Sequence, residues 1–394
     1  MNKKPFRVAY LVSHPIQYQA PLLRLIASHP AFEMKVFFLH NSSANYFDPG
    51  FGRNIAWDTP LLDGYDYETL PAHGPKAVSF WHGGLSERLR PDRFNILWTH
   101  GYSHPTNARA IAIAHRRGIK VLMRGESTLK SGSDAPLRKA LKLRFLRWCF
   151  PRCAGFLSIG AMNREFYRAH GIGEDRLFEV PYAVDNEFFQ GKTRQARPHR
   201  ESLRESLGLE PGRPIILFAG KLLPHKRPAD LLEAYTRLSA DGSEPHPYLL
   251  FAGSGVEQER LAARVAATGW GSVRLLGFQN QTELPRLFDL CDLFVLPSDF
   301  EPWGLVVNEV MNAGKALLVS DAAGCAPDLV VPGGNGWLFR AGDIESLAAA
   351  LRTALRDPGQ LAVMGRRSLG RIGQWSFRED VEGLIAAATS VLRS

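Results

Sequence analysis

Short apolar runs punctuate the chain, and stretches with helical spacing separate them. In the first half the runs are Arg7 to Ser13, Met34 to Leu39, Ile96 to Thr99, Val121 to Arg124 and Gly155 to Ile159. Continuous apolar runs of this length predict strands buried on both faces, as in parallel sheets. Pro21 to Ala27 and Asn107 to Arg117 carry helical periodicity between them, which predicts βαβ units. From Phe189 to Pro214 the chain turns polar and basic, the composition of a linker with a short helix. The strand pattern then restarts with Ile215 to Ala219, Tyr248 to Ala252, Val273 to Leu276, Leu293 to Pro297, Ala316 to Ser320 and Trp337 to Phe339. Near the end, Val381, Leu384, Ile385, Ala388, Val391 and Leu392 recur at helical spacing and predict a docked amphipathic helix.

The expected organisation is therefore two Rossmann-like α/β domains, residues 1–190 and 191–376, with residues 377–394 a helix packing back toward the first. A chain of 394 residues exceeds what one core usually supports, which agrees with two domains. Apolar residues at 45% and charged residues at 22% place it among ordinary globular proteins. Two such domains leave a cleft, and ligands of parallel sheets bind beyond the carboxyl ends of the strands. Chemistry is therefore sought immediately after strands.

No apolar run approaches the ~20 residues that span a bilayer, and Met1 to Arg7 lacks the apolar core of a signal peptide, so the expected compartment is the cytoplasm. Cys149, Cys153, Cys291 and Cys325 show no C-x-x-C spacing, which suggests neither a disulfide framework nor a zinc site. The net charge of +9 favours anionic partners: nucleic acid, an anionic membrane or phosphorylated small molecules. Charge alone does not choose among them, and plain surface solvation is the commoner origin of such a value.

After the strand Ile215 to Ala219 comes Gly220-Lys221, then Lys226, ahead of a helix from Asp230. Glycine lets the chain leave the strand sharply, and two lysines five apart on one loop can converge on an anion such as a diphosphate. Two solvated surface lysines are the alternative. After Leu293 to Pro297 comes Glu301-Pro302-Trp303-Gly304, then a helical stretch from Leu305 to Ala313 closed by Gly314. The first amides of that helix, at Gly304, Leu305 and Val306, have no partner within it and form an anion site. Glu301 and Glu309 can grip hydroxyls on either side of a bound diphosphate; as plain residues they are a loop acid and an exposed helix acid.

Glu301 and Glu309, seven residues between them, followed by Val310-Met311-Asn312-Ala313-Gly314, look like the signature of retaining glycosyltransferases of family four, which have the GT-B fold. Gly220-Lys221 with Lys226 is similar to that family's diphosphate loop, where the first position is often arginine. Pro181 to Asp185 and Ala252-Gly253-Ser254-Gly255 resemble two further family segments, and the likeness covers the second half well.

The resemblance implies an α/β GT-B enzyme with two domains facing each other across a cleft. Glu301 would contact the donor sugar, Glu309 the ribose, and Lys221 and Lys226 the diphosphate of a UDP- or GDP-sugar. Fixed charge would stabilise the leaving nucleoside diphosphate where other transferases use Mg²⁺, so no metal and no cofactor are expected. The acceptor, a saccharide or a lipid-linked one, would attack from the face the nucleotide leaves, in cell-surface polysaccharide or glycolipid synthesis.

The first half matches less closely. Ser13-His14-Pro15-Ile16-Gln17-Tyr18 stands where many relatives have a Gly-Gly pair, although H-P-I-Q-Y also occurs in bacterial members, and Gln17 and Tyr18 are the candidates there. Many members have a histidine after the strand that here ends Val121-Leu122-Met123; this chain continues Arg124-Gly125-Glu126. Arg124, Glu126 or His100, which ends the preceding strand, would take over that contact.

Leu137 to Trp148 interleaves Arg138, Lys139, Lys142, Arg144 and Arg147 with Leu141, Phe145 and Trp148. Such a helix can lie on anionic lipid or be an ordinary surface helix. The rival readings are a sugar-nucleotide epimerase of the same fold, which the lysine loop and spaced glutamates disfavour, and a non-catalytic sugar-binding relic, against which the four intact residues stand. A dehydrogenase lacks its G-x-G-x-x-G, and a nucleic-acid binder is disfavoured because the basic residues are dispersed over both halves.

Overall fold

The computed structural model describes residues 4–40, 46–72, 82–131, 135–239, 242 and 246–393; Met1 to Lys3, part of the segment read for a leader, lie outside them. The described strands are β1 (Phe6–Val12), β2 (Phe32–Phe38), β3 (Tyr46–Asp48), β4 (Arg53–Ile55), β5 (Asp66–Thr69), β6 (Ile96–His100), β7 (Lys120–Arg124), β8 (Gly155–Ser158), β9 (Leu177–Glu179), β10 (Ile215–Ala219), β11 (Tyr248–Ala252), β12 (Val273–Gly277), β13 (Leu293–Leu296), β14 (Ala316–Ser320) and β15 (Gly336–Phe339). They form two parallel sheets and an antiparallel hairpin of β3 and β4.

The chain divides into two compact units. Residues 1–44, 60–182 and 377–394 make the first, and residues 45–59 and 183–376 the second. The division thus falls at Tyr182, not at residue 190, and the hairpin β3–β4 clusters with the second unit although it lies early in the chain. The polar stretch after Phe189 is not a linker with one short helix. Asn186–Ala196 and Arg200–Ser206 are both helical, the first capped by the Asp185 carboxylate accepting from the Phe188 amide at 2.9 Å.

The first unit's sheet runs β5-β2-β1-β6-β7-β8-β9. Alternation along β1 serves two cores: Ala9 and Leu11 join one, while Val8, Tyr10 and Val12 join the other. The helix Phe377–Arg393 supplies Val381, Leu384, Ala388 and Val391 to the latter. Its backbone comes so close to β9 that a Cβ on Gly383 would lie 1.9 Å from the Glu179 carbonyl oxygen. The second sheet runs β12-β11-β10-β13-β14-β15, the strand order 3-2-1-4-5-6 of nucleotide-binding doubly wound folds. In each sheet the order reverses beside the unit's first strand, between β1 and β6 and between β10 and β13, and the carboxyl ends there are the natural crevices.

Candidate active site

At the second unit's reversal point the loops after β10 and β13 are stitched together. The Asp299 amide donates to the His225 carbonyl at 2.9 Å, and the Arg227 Nε donates to the Asp299 carboxylate at 2.6 Å. Lys226 forms an ion pair with Glu301, which also accepts from the Ser298 hydroxyl at 3.5 Å. Arg227 has φ of +53°, the single positive value at a non-glycine position among the described residues, and its ion pair to Asp299 helps hold that conformation. Burial, followed by the adjacent Lys226 charge, lowers the pKa of His225 and favours its neutral form.

Lys221 meets a residue that the sequence pattern did not reveal. Its ammonium donates to both oxygens of Asp48 at 3.0 Å and sits 4.8 Å from the centre of the Phe51 ring. Burial works to raise the Asp48 pKa, but Lys221 and the amides of Phe51 and Gly50 outweigh it and hold the carboxyl below its ordinary value. A side chain on Gly50 would bring its Cβ within 2.7 Å of Lys221, so the glycine keeps this approach open. The two lysines do not converge on one point; each is matched to its own carboxylate. Asp48 escapes a linear reading because its partner is 173 residues away. The Asp48-Pro49-Gly50 sequence signals only a turn.

Gly304 starts the helix Leu305–Met311 from φ of +99°, a conformation that favours glycine. The helix is shorter than its periodicity suggested. It ends at Asn312, whose side-chain amide donates back to the Asn308 carbonyl at 3.0 Å, and Gly314 follows with φ of +68°. The Trp303 indole donates to the Asn308 side chain at 2.9 Å, and the Gly324 amide donates to the Glu301 carbonyl at 2.9 Å, so this short helix and the loop before it are anchored at both ends. The amides of Gly304, Leu305 and Val306 lie in its first turn, where intrahelical acceptors are lacking.

Glu309 has no hydrogen-bond partner among the described side chains. Partly accessible yet surrounded by packed protein, it is desolvated enough that its pKa is raised to about 8. A carboxyl so placed can donate to or accept from hydroxyls. Behind the crevice, a Cβ on Gly253 would lie 1.8 Å from the Gly220 carbonyl oxygen, so the glycine turn after β11 lets two backbones nest.

The first unit's reversal point gathers a different set. His100, at the end of β6, has Nδ1 3.2 Å from the Tyr10 hydroxyl and 3.4 Å from the Gln19 amide, and Nε2 3.1 Å from the Tyr182 hydroxyl and 3.4 Å from Glu126. Tyr182 donates to Glu126. Burial would raise the Glu126 pKa, but His100, Tyr182 and the Arg124 charge hold it below the usual range. Tyr18 packs edge-on against Tyr182 at 6.2 Å, and Gln17 is half-buried beside it. Gln19, Tyr10 and Tyr182 complete a network of which the sequence offered only His100, Glu126 and Tyr18.

Arg124 requires correction as a ligand contact. It is 2% exposed and donates to Asp380 at 2.8 Å and to the Val180 and Pro181 carbonyls at 3.2 Å, beneath the Tyr182 ring at 4.7 Å. Its position at the end of β7 suggested chemistry; its packing makes it a tie between the sheet and the C-terminal helix. Among the described residues, no group of three or more His, Cys, Asp or Glu side chains is placed to hold a metal ion.

Residues 199–370 match the family model described as glycosyl transferases group 1. The matched segment lies wholly within the second unit. Over 235 residues the chain is 30% identical to the D-inositol 3-phosphate glycosyltransferase of Nocardia farcinica, a match covering 58% of this chain and 51% of that protein. Over 237 residues it is 29% identical to the sulfoquinovosyl transferase SQD2 of Arabidopsis thaliana, covering 59% and 42%. The chain thus spans about half the length of the curated relatives it matches. Among solved structures, HepE of Anabaena in complex with UDP and glucose superposes with a TM-score of 0.71 at 15% identity, covering 98% of this chain and all 100% of that one. Sucrose-phosphate synthase of Thermosynechococcus elongatus gives 0.69 at 19% identity, covering 99% and 98%. These likenesses establish the GT-B fold, in which the glycosyltransferase domain supplies the lysine loop and both glutamates.

Proposed function

We propose that this chain transfers a sugar from a nucleoside-diphosphate sugar to an acceptor hydroxyl with retention of anomeric configuration and without a metal. The observation that carries the reading is the pair of loops after β10 and β13, where Lys226 meets Glu301 ahead of the helix that starts at Leu305 and Lys221 stands on the same loop as Lys226. A diphosphate entering there meets two ammonium groups and a helix N-terminus, and it competes with Asp48 and Glu301 for the lysines. Glu301, released from Lys226, takes the hydroxyls of the donor sugar. Glu309 takes the ribose hydroxyls, for which a carboxyl with no hydrogen-bond partner among the described side chains is suited. As the glycosidic bond breaks, negative charge grows on the departing diphosphate, and the lysines stabilise it more in the transition state than in the ground state. A diphosphate oxygen then receives the acceptor's proton, so no side-chain base is required.

The UDP and glucose in the HepE complex favour a uridine donor. The acceptor is a saccharide, free or lipid-linked, approaching the His100, Glu126, Tyr18 and Gln17 side of the first unit. Nucleic acid has no part in this reading, and the chain works in the cytoplasm, at the inner membrane face when the acceptor is lipid-linked. A thermal-shift series with UDP, GDP, ADP and CMP tests it, because a ligand that binds the native state raises its melting temperature. A rise with one nucleoside diphosphate is expected; none with any, in a folded sample, would overturn the donor assignment.

A further inference from the structure

Lys221, Lys226 and Arg227 are the permanent cations of the loop after β10, and each already has a carboxylate. Lys221 lies 3.0 Å from Asp48, Lys226 pairs with Glu301, and Arg227 reaches Asp299 at 2.6 Å and Asp230 at 3.5 Å. A diphosphate brought to this loop adds negative charge where the cations are already matched. It displaces carboxylates that stay nearby, so the fixed charges of the loop do not balance it.

One further group on the loop can supply the missing charge. His225 sits in the turn Pro224–Lys226, and its carbonyl accepts from the Asp299 amide at 2.9 Å, which pins it at the seam between the loops after β10 and β13. Its half-buried ring has no hydrogen-bond partner among the described residues. The charges that act on the ring come from both loops: Lys226 beside it, and Asp299 and Glu301 across the seam. Arg227 and Asp230, next along the chain, are held to each other, and Arg227 also to Asp299. Burial first and the Lys226 charge second favour a neutral imidazole, against the opposing pull of Glu301 and Asp299. A diphosphate at Lys226 would reverse that balance, because it neutralises the ammonium and sets its own negative charge beside the ring. An opposite charge within about 4–6 Å strengthens an imidazole's hold on a proton by about tenfold or more.

We infer that His225 is a proton-linked contact for the donor's diphosphate, taking a proton from solvent as the anion arrives and donating a ring N–H to a phosphate oxygen. The inference rests on the proposed donor site and adds to it a cation that exists only while the anion is present. A fixed ammonium in that place would repel Lys226 in the empty loop, a cost the neutral imidazole does not carry. The imidazolium also answers the charge that grows on the departing nucleoside diphosphate as the glycosidic bond breaks. When the product leaves, the proton returns to solvent and the ring is neutral again.

The test is calorimetric titration of UDP into the full chain between about pH 5 and pH 8, in two buffers of different ionisation enthalpy, for the wild type and His225→Gln. GDP takes the place of UDP if the thermal-shift series selects it. The wild type is expected to take up about half a proton more per nucleotide than the variant near pH 6.5. The nucleotide's own titration is common to both proteins and drops out of that difference. The Kd of the variant relative to that of the wild type is expected to be about one at pH 8 and to grow to about tenfold at pH 5. His225→Asn should repeat both results, with melting temperatures close to that of the wild type showing that the variants fold. Equal proton uptake by the wild type and both variants would overturn the inference. So would a Kd ratio that stays constant with pH, which would make His225 a spacer in the loop. Binding of neither nucleotide by the wild type would remove the donor site itself, and the inference with it.

Discussion

The two units bring the ends of their first and fourth principal strands together by the same topology, yet differ in how deeply the ion pairs near those ends are buried. In the second unit the paired charges keep some access to water: Lys221 and Asp48 are 35% and 12% exposed, Lys226 and Glu301 18% and 11%. In the first unit the pair of Arg124 with Asp380 is sealed at 2% and 0% exposure, and near it lies a shared hydrogen-bond network of His100, Glu126, Tyr10 and Tyr182. The same fold position can serve architecture or ligand exchange, and burial decides which. A fully buried pair is costly to break, whereas a partly exposed one can trade partners.

Breaking the sealed pair sharpens this contrast most. Arg124→Ala or Asp380→Ala leaves an uncompensated buried charge and is expected to cost about 3–5 kcal/mol of stability in denaturant titration. The double variant should cost less than the sum, since the partners are coupled. Additive losses, or losses within experimental error, would show that the pair is not a tie.

At the other crevice the expected damage falls on turnover, not on folding. Glu301→Ala and Lys226→Ala are each expected to reduce the transfer rate by more than about tenfold, roughly 1.4 kcal/mol of transition-state stabilisation or more, with the melting temperature nearly kept. Near-normal rates in both folded variants would remove these residues from the site.

Glu309 gives a smaller effect with a defined pH dependence. Its folded-state pKa of about 8 exceeds the unfolded carboxylate value of about 4.3. The folded protein therefore binds the extra proton between those limits. The associated stability is fully present below about pH 4 and is lost as pH rises through 8. Glu309→Gln should match the wild type in melting temperature on the acidic side and exceed it by a few degrees near pH 9. A difference independent of pH would contradict the raised carboxyl. The smallest expected effect is that of excess EDTA on turnover, which should be none; loss restored by Mg²⁺ would refute the metal-free reading.

Much of the second unit is legible along the chain. Strands β10, β11, β13 and β14 are continuous buried runs, and the lysine loop and both glutamates follow two of them, so pattern and motif reinforce each other. The elements that escaped are short and polar: β5 is Asp66–Thr69 with one half-buried side chain, and β9 has three residues, so neither holds enough apolar period to register. The hairpin β3–β4 is missed for the same reason, and Asp48 with it. Arg124 shows the reverse error: its place after a strand suggested a ligand contact because a one-dimensional reading cannot see that a helix more than two hundred residues later supplies its carboxylate.

By itself the sequence determined the doubly wound α/β class, the order of the buried strands and the likeness of Glu301, Glu309, Lys221 and Lys226 to a nucleotide-sugar site. Those features are local, carried by hydrophobic period, turn chemistry and motif spacing within about a dozen residues. Only the tertiary structure decided which charges are paired and which exposed: Asp48 on Lys221, Arg124 sealed on Asp380, Glu309 desolvated with no hydrogen-bond partner among the described side chains, and Leu137, Leu141 and Trp148 facing outward. A charge's role depends on its partner and its distance from water, and both are fixed by contacts between segments remote in the chain.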